Sequence, residues 1–250
     1  MDLGLADKTV LVTGGTRGIG LATARVFAAA GARVAITYRS DAIRAKNVAE
    51  ELGGALAVPY ELAGLDAPDR LAGALHDHWG AGPDVLVANA VRLGRRRPPD
   101  ERFDEVPIDE WWPVVRENLP GTIRTVQLMS SGMRRRGWGR IALISSHLAH
   151  RGGPGQEVYG AVKAALHGLA RSLIWDLSRD GVLVNTVCPG LTLTEGVRAD
   201  LPEHVRSAAI RETPSGRLST PQEVANVVAF LCSAANGHVN GELITVAGGR

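Results

Sequence analysis

The chain has 250 residues, 45% of them hydrophobic and 22% charged, with a formal net charge of +2. That balance suits one globular domain over 1–250 with a sizeable core, and it supplies no strong field to draw nucleic acid or an anionic membrane. Two cysteines make no disulfide framework, and the sequence shows neither a secretory leader nor a long apolar span, so a cytoplasmic setting with no membrane partner is expected.

Short β-rich runs alternate with longer helical patterns. Strands are expected at 8–13, 33–38, 55–60, 84–90, 140–145, 182–187 and 242–246. Several are near-continuous apolar runs, the pattern of central strands in a parallel sheet covered on both faces. Helices are expected at 18–30, 41–52, 66–79, 108–135, 157–179 and 221–234. Strand–helix alternation implies right-handed crossovers and one doubly wound, Rossmann-type α/β domain, with a mostly parallel seven-stranded sheet. The Pro- and Arg-rich piece 92–101 reads as a loop, and 191–220, with Pro202, Pro214 and Gly216, as a flap.

The first chemical signal lies between the first strand and the first helix, where "TGGTRGIG" (13–20) places Gly14, Gly18 and Gly20. Glycines there permit a tight turn and close approach of backbone to a pyrophosphate, which the free N–H groups of the helix N-terminus then meet. The second strand runs into Tyr38, Arg39 and Ser40, where an NAD site commonly keeps an acid for the ribose 2′-hydroxyl. A guanidinium suits a 2′-phosphate instead, with Arg17 able to close the other side. Two solvated arginines would look the same.

"YGAVK" (159–163) sets Tyr159 and Lys163 one helical turn apart, on one face. Of 28 basic residues only Lys8, Lys46 and Lys163 are lysine, so an amine here stands out. An ammonium ~4 Å from the phenol contributes on the order of 4 kcal/mol, about three pKa units in favour of phenolate. A partly buried tyrosine beside a snorkelling lysine would show the same spacing.

Taken together, these motifs resemble the short-chain dehydrogenase/reductase family nearly end to end. Ser146 stands thirteen residues before Tyr159, at a strand end, and Asn118 in "RENLPG" matches the family's mid-helix asparagine. "CPGLTLT" (188–194) is similar to the segment that holds the nicotinamide carboxamide, and "VNGELITVAGG" (239–249) to the C-terminal strand. The resemblance implies a catalytic tetrad of Asn118, Ser146, Tyr159 and Lys163. Tyr159 would protonate the carbonyl oxygen, Ser146 orient it, Lys163 bind ribose hydroxyls and lower the Tyr159 pKa, and Asn118 hold a proton-relay water. It also implies NADP(H) contacts from Gly14, Thr16, Arg17, Gly18, Ile19, Gly20, Arg39, Ser40, Glu61, Leu62, Asn89, Ala90, Tyr159, Lys163, Pro189, Gly190, Thr192 and Thr194, with no metal.

Departures from the family pattern are Val91 in place of a glycine, Glu61 in place of an aspartate, and His147 directly after Ser146. His147 reads as a packed histidine rather than a second acid/base, and Cys188 as a small core residue. By motif the chain is similar to 3-oxoacyl-acyl-carrier-protein reductases and related ketoreductases. The implied activity is NADPH-dependent reduction of a β-keto acyl thioester, or a similarly bulky ketone, to a secondary alcohol by a homotetramer. Gln156, His147, Leu148 and Val91 are candidates to face the substrate. The clusters "RLGRRR" (92–97) and "MRRRGWGR" (133–140) are candidates to dock an acidic acyl carrier protein, although a soluble arginine-rich surface is the favoured reading. Two alternatives remain at this stage: an NAD-dependent alcohol or sugar dehydrogenase, and a non-catalytic cofactor-binding regulator.

Overall fold

The structure is a computed structural model that describes residues 2–250. Its strands are β1 (Thr9–Val12), β2 (Arg33–Tyr38), β3 (Leu56–Pro59), β4 (Val85–Ala88), β5 (Gly139–Ile144), β6 (Val182–Pro189) and β7 (Leu243–Val246). They form one sheet in the order β3-β2-β1-β4-β5-β6-β7, and every pairing is parallel. All seven expected strands form; β6 runs on to Pro189, where the sequence pattern stopped at 187.

The helices are α1 (Gly18–Ala29), α2 (Ala42–Glu51), α3 (Ala67–Trp79), α4 (Ile108–Arg136), α5 (Leu148–Arg151), α6 (Glu157–Leu177), α7 (Glu195–Asp200), α8 (Glu203–Arg211) and α9 (Pro221–Leu231). Side chains alternate across each strand, so a sheet covered on both faces needs two cores. On one face Leu11, Leu86, Ile141 and Leu143 meet Leu71, Met129, Met133 and Leu166 of α3, α4 and α6. On the other, Val10, Val12, Ile36 and Val87 meet Leu21, Phe27, Val224 and Val228 of α1 and α9. This explains the unbroken apolar runs. Each such side chain gains about 1.5–3 kcal/mol on burial, so the sheet is a rigid base for whatever its edges carry.

The expected flap at 191–220 holds two short helices, α7 and α8. Thr194 caps α7 by accepting from Val197 N, which starts a helix where the Pro and Gly content suggested none. The segment 92–104 does run as an irregular connection from β4 to α4, broken only by a 3-10 turn at Phe103–Glu105. It is tied down at Gly155. Arg97 N donates to the Gly155 carbonyl, and a Cβ on Gly155 would lie 2.2 Å from Arg97 O, so only glycine allows that approach.

Candidate active site

Strand order reverses between β1 and β4, and the crevice opens beyond their C-terminal ends. The glycine turn enters that crevice directly from β1. Gly14, at φ 65°, donates its N–H to Thr37 Oγ1 at 2.9 Å. A Cβ on Gly20 would lie 2.3 Å from Gly14 O, so the turn closes only with glycine at that position. Asn89, just past β4, locks it by donating Nδ2 to Thr13 O and Gly14 O at 2.9 and 3.1 Å. The backbone N–H groups of Asn89 and Ala90 both donate to Thr13 Oγ1.

The turn fits a pyrophosphate. Arg17 is the N-cap of α1 without a side-chain cap, and the first turn has no acidic residue, so the leading N–H groups of Gly18, Ile19 and Gly20 are free donors at the positive end of the helix. Thr16 is buried beneath them. Thr194 reaches this loop from the opposite side, since a Cβ on Gly18 would lie 3.1 Å from Thr194 Cγ2. Arg17, Arg39, Ser40 and Glu61 are exposed around the rim, and Leu62 is buried. Thr192 is buried and donates to Gly190 O, which shapes the turn that follows Pro189.

Arg44, which the sequence reading passed over, is held where Arg17 and Arg39 are free. Its Nε donates to Thr16 O at 2.9 Å, and its Nη2 lies 2.5 Å from Glu195 Oε2. One side chain thus joins the glycine turn, α2 and the flap helix α7. A guanidinium three residues from the Asp41 cap of α2 was the available signal.

The second part of the site lies at the ends of β5 and β6. Ser146 follows β5, is 8% exposed and accepts from Leu148 N at 3.2 Å. Tyr159, in the first turn of α6, has the Ser146 hydroxyl as a neighbour that favours its phenolate. Burial of its hydroxyl end pushes the phenol up to about 12, and the nearby Ser146 hydroxyl only partly offsets that. This corrects the expectation of a phenol lowered by Lys163. Lys163 Nζ sits 5.9 Å from the Tyr159 ring centroid and donates to Ile144 O at 2.7 Å. Burial in turn lowers Lys163 to about 8. Both groups are enclosed, and desolvation penalises the charged form of each more than the separated pair recovers.

Asn118 commits its side chain to neighbouring backbone. Its Nδ2 donates to Arg92 O and Val114 O at 2.9 and 2.7 Å, and its Oδ1 accepts from Arg92 N at 2.9 Å. The side chain is spent on backbone, so it is not the group that would hold a relay water. Asn118 and Lys163 do share a small cavity with Ala88, Ala90, Leu119 and Thr122, and only the main chain of Asn118 is left to serve a water there.

A groove opens beside Tyr159, lined by Leu93, Phe103, Val106, Trp111, Val114 and Gln156, with Arg95, Arg97 and Glu157 at its rim. Of the candidate substrate-facing residues it takes Gln156. His147, 6% exposed, does not line that groove and has Arg250, Arg151 and His150 as its basic neighbours. Burial and those cations hold His147 down to about 4, so it is a neutral packed ring and not a second acid/base. The 92–97 arginines are largely neutralised from within the chain: Arg92 by Glu117, Arg95 by Glu101 and Glu110, and Arg97 by Glu157. Arg134 and Arg136 likewise pair with Asp176, Asp180 and Asp84. That weakens the expectation of a free basic patch for a carrier protein.

A family described as enoyl-(acyl carrier protein) reductase matches residues 14–250. The chain is 38% identical over 253 residues to 3-oxoacyl-(acyl-carrier-protein) reductase of Aquifex aeolicus (strain VF5), covering 100% of this chain and 99% of that one. The chain belongs to the short-chain dehydrogenase/reductase family. A second member of that family, acetoacetyl-CoA reductase of Rhizobium meliloti (strain 1021), is 39% identical and covers 98% of each chain. Among solved structures, a 7α-hydroxysteroid dehydrogenase complexed with NADH and 7-oxo glycochenodeoxycholic acid superposes with a TM-score of 0.90 at 31% identity, over 99% of this chain and 96% of that one. As a short-chain dehydrogenase/reductase the protein is an oxidoreductase of a nicotinamide-using family whose relatives include ketone reductases. No helix among the described residues is long and apolar enough to cross a membrane.

Proposed function

We propose that the protein reduces a β-keto acyl thioester, or a ketone of similar bulk, to a secondary alcohol with NADPH. The observation that carries this reading is the convergence, at one edge of one sheet, of Tyr159 with Ser146 beside Lys163 and the open amides of the glycine turn. The cofactor supplies the hydride when bound.

The chain's own residues do the rest. Gly18, Ile19 and Gly20 offer N–H groups to the pyrophosphate, while Arg39 and Arg17 offer guanidinium to the 2′-phosphate. Asn89 fixes the turn, and Pro189, Gly190, Thr192 and Thr194 border the nicotinamide end. Ser146 Oγ orients the carbonyl oxygen, and Tyr159 Oη gives it a proton. The phenol, pushed up to about 12, carries its proton across neutral pH, so Tyr159 enters the reductive reaction protonated. Lys163 holds ribose hydroxyls as a compact donor. The apolar groove from Leu93 to Gln156 takes the acyl portion, and Arg95 and Arg97 at its rim are already paired with Glu101, Glu110 and Glu157. The absence of an acid at the end of β2 is what ranks NADPH above NADH, since family membership alone spans both.

The same reading includes a homotetramer, with the outer face of α6 covered by a partner copy; Trp175 there is 87% exposed in the single chain. Tyr159→Phe tests the catalytic assignment. Turnover of acetoacetyl thioester with NADPH should fall ~10²–10⁴-fold with cofactor affinity unchanged, and wild-type turnover in that variant would refute it.

A further inference from the structure

Behind the proposed catalytic edge, α5, α6 and β6 bring together three side chains that the reaction does not use. His150 lies on α5, His167 on α6 and Cys188 on β6. Their ligand atoms all lie within 4.8 Å of one another. His167 Nε2 is 3.6 Å from Cys188 Sγ and 2.8 Å from Ser145 Oγ, and the rings of His150 and His167 have centroids 5.4 Å apart. We propose that His150, His167 and Cys188 form a binding site for a zinc-like divalent cation.

The spacing is what such a cation requires. Zinc takes a thiolate sulfur at about 2.3 Å and an imidazole nitrogen at about 2.0–2.1 Å, which at the tetrahedral angle sets sulfur and nitrogen about 3.6 Å apart. His167 and Cys188 already stand at that separation. His150 is exposed and closes on them by a side-chain rotation, with only a hydrogen bond to Thr245 Oγ1 at 3.3 Å to give up. The donor set of two imidazoles and one thiol selects zinc, cobalt or copper over magnesium and calcium. The fourth position faces the solvent side, where His150 is exposed, and takes water.

Binding costs the site two further arrangements. The Cys188 thiol, which burial pushes up to about 11, releases its proton to water as the sulfur–metal bond forms. His167 Nε2 leaves Ser145 Oγ, which keeps its bond to Lys163 O at 2.9 Å. Because Ser145 gives its own proton to Lys163 O, His167 Nε2 carries the proton between them, and ligation shifts that proton to Nδ1, leaving a neutral ring with Nε2 free for the cation. The product is a clip joining α5, α6 and the last residues of β6.

Cobalt(II) titration of the untagged full chain tests this directly. A 1:1 endpoint with a near-ultraviolet thiolate-to-cobalt charge-transfer band, displaced by zinc, is expected. The band should vanish in Cys188→Ser and persist in Cys232→Ser. Affinity should fall on the order of tenfold or more in His150→Ala, whose exposed side chain can be removed without disturbing the fold. The absence of a thiolate band in the wild-type chain, its survival in Cys188→Ser, or unchanged cobalt affinity in His150→Ala would each overturn the site. None of these readouts depends on turnover, so they stand apart from the catalytic reading.

Discussion

The side chain of Asn118 pairs with both backbone polar groups of Arg92, accepting from its N–H and donating to its carbonyl, each at 2.9 Å. Helix α4 thereby holds the start of the 92–104 connection, as a neighbouring strand would. Asn118 is 5% exposed, so removing the amide leaves buried partners unmet. Asn118→Ala should cost about 1–3 kcal/mol in stability and raise hydrogen exchange at Arg92 and Leu93. Asn118→Asp keeps the acceptor but loses the donor, and should show faster exchange with a similar loss. An unchanged melting point and unchanged exchange in Asn118→Ala would rule out the clamp.

The pH dependence of cofactor capture should follow Lys163 and not Tyr159. Lys163, near 8, loses its charge as pH rises through that value, whereas the phenol near 12 stays protonated. The value of kcat/KM for the cofactor reports the free enzyme, so it should be level on the acid side and fall above about pH 8. Lys163→Arg keeps its charge throughout and should lose the alkaline limb while turning over more slowly. A limb that stays at the same pH in Lys163→Arg assigns it to another group.

Arg39 and Arg44 make different contributions to cofactor binding, and variants separate them. Arg39 is exposed at the end of β2, whereas Arg44 is held by Thr16 O and Glu195. A charge-assisted contact to a 2′-phosphate is worth ~1.5–3 kcal/mol, roughly ten- to 150-fold in affinity. Arg39→Asp should weaken NADPH by at least that factor and leave NADH as tight or tighter. Arg44→Ala should weaken both cofactors alike, because it loosens the glycine turn and α7. Fluorescence titration of the two cofactors decides the matter, and equal losses in Arg39→Asp would end the NADP assignment.

His147 should make the fold acid-sensitive above the carboxylate range. Its folded value near 4 lies below the ordinary 6.5, so between those values the unfolded chain binds the extra proton. Stability is therefore full above about pH 6.5 and is lost as pH falls toward 4, by on the order of 3 kcal/mol at most. Denaturant unfolding at pH 7 and pH 4.5 should show the loss in wild type and a smaller one in His147→Leu. Parallel losses in the two proteins would mean the ring is not the source.

Most of the fold was legible in the sequence, for a local reason. The apolar runs at 8–13, 84–90 and 140–145 sit at the centre of a sheet covered on both faces, and burial on two sides leaves no room for a polar alternation. Gly14 and Gly20 were legible because a βα turn that tight admits no Cβ. The helices inside the 191–220 segment were not legible because they are short and begin at caps such as Thr194, which a count of prolines and glycines does not register.

The sequence by itself determined which residues meet at the sheet edge. Strand ends and helix starts are set by chain-local patterns, and the parallel topology brings them to one side. Only the tertiary structure decided what those residues do to one another. Lys163 and Tyr159 lie one turn apart on α6, yet the Ile144 carbonyl holds the ammonium away and burial raises the phenol instead of lowering it. Asn118 spends its amide on Arg92, 26 residues earlier in the chain. His150, His167 and Cys188 come together from three elements with no spacing to announce them. Desolvation and long-range hydrogen bonds depend on the full set of neighbours, and a linear pattern does not contain that set.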